Sequence, residues 1–104
     1  MKIQFNTDHN IKGSEQMQAY FDAEIRESLK RFSPHITRIE VHLSDVNNSK
    51  SGRQDKRCAL EARVKHREPV AVSDEADTIE QAVNGATGKL KNSLNTIIEK
   101  FRNH

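Results

Sequence analysis

The chain has 104 residues and a formal net charge of +2, with 34% apolar residues, 31% charged residues and no Trp. That suffices for one domain with a modest core and is too little for a catalytic domain plus a separate binding domain. Apolar runs of only a few residues exclude a bilayer-spanning helix, and Met1 to Phe5 is too short and polar for a signal sequence, so a cytoplasmic protein with no membrane partner is expected.

The first predicted element is a short strand over Lys2 to Asn6, where Ile3 and Phe5 alternate with polar residues. Ser14 is placed to cap a helix, and Glu15 suits its first turn. Within it Met17, Phe21, Ile25, Leu29 and Phe32 recur every three or four residues, and Pro34 sets a stop near Arg31 to Ser33. The outer face of this helix carries Ala19, Asp22, Ala23, Arg26 and Lys30.

From Ile36 to Ser44 the period changes to two, with Ile39, Val41 and Leu43 inward and Arg38, Glu40 and His42 outward. Asn47 to Asp55 has no periodicity and reads as a hairpin loop longer than a tight turn. Alternation returns over Lys56 to His66, with Cys58, Leu60, Ala62 and Val64 on one face and Arg57, Glu61, Arg63 and Lys65 on the other. Arg67, Glu68 and Pro69 then turn the chain into a brief strand at Val70 to Val72. The acidic stretch from Ser73 to Thr78 reads as the approach to a helix N-terminus, with Thr78 or Asp77 as cap.

The last helix, Asp77 to Arg102, organises the rest. Ile79, Val83, Ala86, Leu90, Leu94, Ile97 and Phe101 fall in one stripe, and only the alternating runs before it can supply a surface to cover that stripe. The opposite face carries Asn84, Gly85, Gly88, Asn92, Asn95 and Glu99, with Lys91 nearby. The order β-α-β-β-β-α is that of an α+β fold, with two helices packed on one face of a four-stranded sheet. Tyr20 and the four Phe residues mostly fit core positions, which leaves no aromatic platform for stacking RNA bases.

Charge is unevenly divided. Between Lys50 and Arg67 seven basic residues (Lys50, Arg53, Lys56, Arg57, Arg63, Lys65, Arg67) face only Asp55 and Glu61, a balance of +5, and the remainder sums to −3. Such asymmetry points to a patch for an anionic partner, while solvated loops and cross-strand pairing with Glu40 or Glu61 are the structural alternative. Chemistry finds no such concentration. His42 and His66 have no Cys or carboxylate at a metal-ligand spacing, and the single cysteine, Cys58, falls on the inward face. Gly85 to Gly88 lies within a helix rather than between strand and helix, and Asp74, Glu75 and Asp77 are accounted for by the helix dipole. No enzyme, metal, cofactor or small-molecule substrate is expected.

Three segments carry a resemblance: Leu29-Lys30-Arg31-Phe32 through Ile36; Ile39-Glu40-Val41-His42-Leu43-Ser44-Asp45; and Ile79-Glu80-Gln81-Ala82-Val83 with Lys89-Leu90 and Leu94. Together they resemble the ribosome hibernation-promoting factor family, also called the ribosome-associated inhibitor or sigma-54 modulation protein family, over nearly the whole chain. The resemblance implies a bacterial stationary-phase or stress protein that docks on the small ribosomal subunit and silences translation by occupying the channel for messenger and transfer RNA. It also implies a short form, residues 1–104 making one ribosome-binding-type domain without the C-terminal dimerisation domain of longer members. Lys89, Lys100 and Arg102 match basic positions of the family, and Lys91 adds a charge nearby. Arg26 and Lys30 on the first helix, and Arg57, Arg63 and Lys65 on the sheet, complete the expected phosphate contacts. The chain departs from the family pattern at Asn92, where Arg is common, and at Thr96, Ile97 and Ile98, where a Lys-His-Lys-like cluster is typical. A diverged module for protein interaction or weak self-association, using the neutral face of the last helix or a sheet edge, is the alternative reading.

Overall fold

The elements follow one another as β1 (Lys2–Thr7), α1 (Glu15–Ser28), a 3-10 segment (Lys30–His35), β2 (Ile36–Asp45), β3 (Lys56–Val64), β4 (Val70–Ala76) and α2 (Ile79–Arg102). The computed structural model describes residues 1–8, 14–45 and 56–102, with side chains as far as residue 99. The expected hairpin loop from Asn47 to Asp55, with Lys50 and Arg53, therefore lies outside the described residues, as does most of the connection before Ser14.

The strands are ordered β1-β2-β3-β4 in one mixed sheet. β1 runs parallel to β2, with α1 as the crossover that a parallel pair requires; β2, β3 and β4 are successively antiparallel. The inner face buries Ile39, Val41 and Leu43 of β2 and Cys58, Leu60, Ala62 and Val64 of β3, as the alternation demands. Phe21 and Ile25 of α1, with Leu29 and Phe32 beyond it, and Val83, Ala86, Leu90 and Leu94 of α2 close that face into one core. This is the expected α+β architecture.

Both helices are capped by side chains. Ser14 Oγ accepts from the Met17 N–H at 3.0 Å, and Thr78 Oγ1 accepts from the Gln81 N–H at 3.1 Å. The end of α1 departs from expectation. The α-helix stops at Ser28, Leu29 takes φ −103° and ψ 13°, and the chain tightens into the 3-10 segment that contains Pro34. Pro34 has no N–H to donate to the Lys30 carbonyl and its ring would clash with that group in an α-helix, so the chain runs in the tighter 3-10 form until β2 begins.

β4 is the larger correction. It continues past Val72 to Ala76, so Asp74 and Glu75 are strand residues paired with Cys58 and Arg57, not part of a helix N-terminus. Main-chain pairing with β3, together with the opposite charges of Arg57 and Glu75, outweighs the poor strand propensity of acidic residues. The stripe of α2 is also modified. Ala82 and Thr87 are buried with it, the Thr87 hydroxyl donating to Val83 O at 2.7 Å, and Ile98 packs against the core while Ile97 is half-buried. Spacing by sevens, as at 83, 90 and 97, drifts about 20° per step around a straight helix, so Ile98, four residues from Leu94, takes over. The side chain of Phe101 lies outside the described residues.

Candidate nucleic-acid interface

The basic side chains of α2 do not share a face. Lys89 and Lys91 are two residues apart, about 200° around the axis. Lys89 lies on the flank toward β4, where its ammonium donates to Ser73 O at 2.9 Å and Asp74 Oδ1 at 3.2 Å. Its side chain is still 54% exposed. Lys91 is exposed on the flank that Glu80 also occupies, toward α1. The side chains of Lys100 and Arg102 lie outside the described residues.

Gly85 and Asn95, expected on the outer face of α2, are both partly buried. Gly85 abuts the Asp74 carboxylate, whereas nothing lies within 4 Å of the position a Gly88 Cβ would take. On α1, Arg26 is held by Asp22 at 3.0 Å and donates to the Met1 carbonyl at 2.7 Å, tying the helix to the start of β1. Lys30 is exposed at the start of the 3-10 segment. Tyr20 is not a core residue; it is 49% exposed, and its hydroxyl donates to Glu80 Oε2 at 2.6 Å, joining the two helices.

The uncovered face of the sheet is banded by its register. Lys2, Arg38 and Arg63 stand side by side on β1, β2 and β3. With strands about 4.8 Å apart, these three cations span about 10 Å. The next row is Gln4, Glu40 and Glu61, then Asn6, His42 and Ala59, and finally Ser44, Arg57 and Glu75. Arg38 donates to the Gln4 side-chain oxygen and lies 3.5 Å from Glu40, while its Nε is buried with no hydrogen-bond partner. Arg57 and Arg63 are exposed but six residues apart on one strand, about 20 Å. Lys56 turns toward the core side and pairs with Asp45 at 3.3 Å.

The stretch that is basic in sequence is thus divided in space, and positive charge gathers at one end of the molecule. There the Lys2-Arg38-Arg63 row adjoins Lys65, exposed just beyond β3, whose N–H donates to His35 O at 2.9 Å. The turn after β3 adds His66, at φ 62°, and Arg67, and the 3-10 segment adds Lys30 and Arg31. Lys2, Arg38 and Arg31 were not singled out by sequence reasoning. The outward alternation of Lys2 and Arg38 was visible, but the convergence of the three depends on the parallel register of β1 and on the fold of the 3-10 segment.

Among the described residues no group of three His, Cys, Asp or Glu side chains is placed to hold a metal ion. Cys58 is buried, and burial, with the negative charge of Asp74 as the lesser cause, pushes its thiol up to about 12. No described helix is long and apolar enough to cross a membrane.

The family model described as sigma 54 modulation protein / S30EA ribosomal protein matches residues 4–102. The chain belongs to this family. The matched span runs from β1 to the end of α2, so both helices and all four strands are part of the family unit. Among solved structures the chain is similar to the N-terminal domain of Protein Y from Thermus thermophilus, at 18% identity and a TM-score of 0.73, over 93% of this chain and 99% of that one. It is equally similar to a ribosomal subunit interface protein from Coxiella burnetii, at 18% identity and a TM-score of 0.73, over 95% and 99%. At these identities the likeness is one of fold. A search of curated proteins found no match.

Proposed function

We propose that the protein is a ribosome-associated hibernation factor that binds RNA of the small ribosomal subunit and silences translation by occupying the channel of messenger and transfer RNA. Family membership over residues 4–102 is the observation that carries this reading. The names of its structural neighbours, a ribosomal subunit interface protein among them, agree with it. Residues 1–104 act as one ribosome-binding domain in the cytoplasm, and the mechanism is binding alone. The banded sheet supports a particular orientation: the basic end, with Lys2, Arg38, Arg63, Lys65 and Lys30, meets phosphates, while the acidic row of Glu40 and Glu61, on the same face, lies one row farther along the strands from them. Lys91 extends the contact along α2. Lys89 contributes less, because its ammonium is already held by β4.

Co-sedimentation with small ribosomal subunits across a salt series tests this. Binding is expected to saturate and to weaken with salt, since each neutralised phosphate contributes a slope of about 0.7 to 0.9 in a plot of log affinity against log salt. Arg63→Glu with Lys65→Glu should remove most of the binding, and Lys89→Glu should remove little. Absence of binding even at low salt would overturn the proposal.

A further inference from the structure

At the basic end a cleft of about 690 Å³ opens between the 3-10 segment, the turn after β3 and the last turns of α2. Sites for small organic ligands typically measure about 300–1,000 Å³. Its floor is apolar: Phe32 and Val64 are buried in the core, Ile98 packs against it, and Ile97 completes the wall. Among the described residues its rim is basic, with Arg31, His35, Lys65, His66 and Arg67 set against the carboxylate of Glu99. The Arg31 guanidinium lies 4.7 Å from the centroid of the Phe32 ring, which holds this exposed planar group at the edge of the floor, within reach of a ligand.

The remaining feature is Asn95. It lines the cleft, and its Oδ1 is buried without a hydrogen-bond partner. A buried acceptor left unpaired is costly, so an occupant is favoured that draws the Asn95 amide round into the cleft and brings an N–H donor to it. Three requirements therefore coincide: a flat apolar body for the floor and for Arg31, an N–H donor on that body for Asn95, and an anion for the rim. A nucleobase stacks on guanidinium groups and presents N–H donors along its edge, and its phosphate supplies the charge. We propose that this cleft binds a nucleoside phosphate, with the base between Arg31 and the isoleucines, its edge at Asn95, and the phosphate at Lys65 and the neighbouring rim. Inorganic phosphate or an acidic side chain would satisfy the rim and leave Asn95 and the floor unmet.

Two sources share this chemistry, a free mononucleotide and a nucleotide within a single-stranded RNA, and the test separates them. The full chain is titrated with AMP, UMP, ribose 5-phosphate, adenosine, and pentanucleotides of A and of U, following the backbone amide resonances. Saturable shifts at Val64, Lys65, Asn95 and Ile98 are expected, with a mononucleotide or a pentanucleotide at least about tenfold tighter than ribose 5-phosphate or adenosine. Response to AMP or UMP identifies a free nucleotide as sufficient; response to the pentanucleotides alone assigns the site to an RNA strand. Asn95→Leu should weaken the nucleotide about tenfold and leave ribose 5-phosphate unchanged. Arg31→Ala, at an exposed position, makes the same comparison without touching a buried group. Equal response to ribose 5-phosphate and AMP, shifts confined to the sheet, or no saturable shift would each overturn the proposal. No ribosome is present in these titrations, so their failure leaves ribosome docking standing, and failure to dock leaves the cleft standing.

Discussion

The carboxylate of Asp74 on β4 occupies the space that a side chain at residue 85 of α2 would fill. Helix and strand come together closely there because Gly85 has no Cβ, and Lys89, one turn on, holds the same carboxylate at 3.2 Å. Gly88, three residues away, faces open space. The two glycines should therefore respond oppositely to alanine. Gly88→Ala is expected to stabilise by about 1 kcal/mol, the ordinary helical preference of Ala over Gly. In a domain of this size that raises the melting temperature by roughly 4–8 °C. Gly85→Ala should lower it by displacing Asp74 from Lys89, and in an Asp74→Ala background the same substitution should become stabilising. A melting-temperature cycle over the four variants decides it; additive effects would refute the contact.

Cys58 makes the alkaline limit of stability predictable. Its thiol titrates near 12 in the fold against 9.0 when free, so above pH 9 the unfolded chain gives up a proton that the native chain keeps. The native state then binds more protons, and stability, full below pH 9, falls as pH rises toward 12. Cys58→Ala should lose baseline stability but show a shallower decline over that interval. Alkylation of the native protein by iodoacetamide at pH 8 should be negligible until denaturant is added; rapid native labelling would contradict the burial.

Tyr20 gives a spectroscopic reading of the contact between the helices. Its hydrogen bond to Glu80, then the negative charge of Glu80, raise the phenol above its usual 10.0, since ionisation loses the donor and sets two anions together. As the chain has one Tyr, absorbance near 295 nm during an alkaline titration reports this group alone. The midpoint is expected above 10 and should return toward 10 in Glu80→Gln. An identical midpoint in both proteins would mean that the two helices do not meet there in solution.

Glu40 and Glu61 face one another directly across β2 and β3. Like charges in that position are unfavourable, and Arg38 and His42 lie near Glu40. Glu61→Gln should stabilise the sheet by about 0.2–1 kcal/mol. By removing negative charge beside Arg63 it should also strengthen ribosome binding at low salt, which chemical denaturation and co-sedimentation measure separately.

Element type was legible wherever one periodicity dominated. The period-two runs of β2 and β3 and the stripe of α1 stand where the alternation of Ile39, Val41 and Leu43 and the spacing of Phe21, Ile25 and Leu29 put them. The family resemblance carried by those segments holds over residues 4–102. β4 was read too short because acidic residues before a helix satisfy the dipole as well as they satisfy a strand opposite Arg57; only pairing with β3 separates the two. Tyr20 was placed in the core because its apolar ring fits one, yet its hydroxyl finds Glu80, sixty residues away in sequence. The basic end was largely hidden. Nothing local in Lys2 or Arg38 states that β1 lies parallel to β2 in the register that aligns them.

Because each strand pairs with its predecessor in the order β1-β2-β3-β4, the sheet can be completed as the chain emerges during synthesis, but α2 comes after all of it. At elongation rates of about 5–20 residues per second, the twenty-four residues of α2 take a few seconds to follow. Through that interval Leu60 and Ala62 of β3 lack the cover of α2, and the nascent protein depends on its surroundings to keep that part of the surface from other chains.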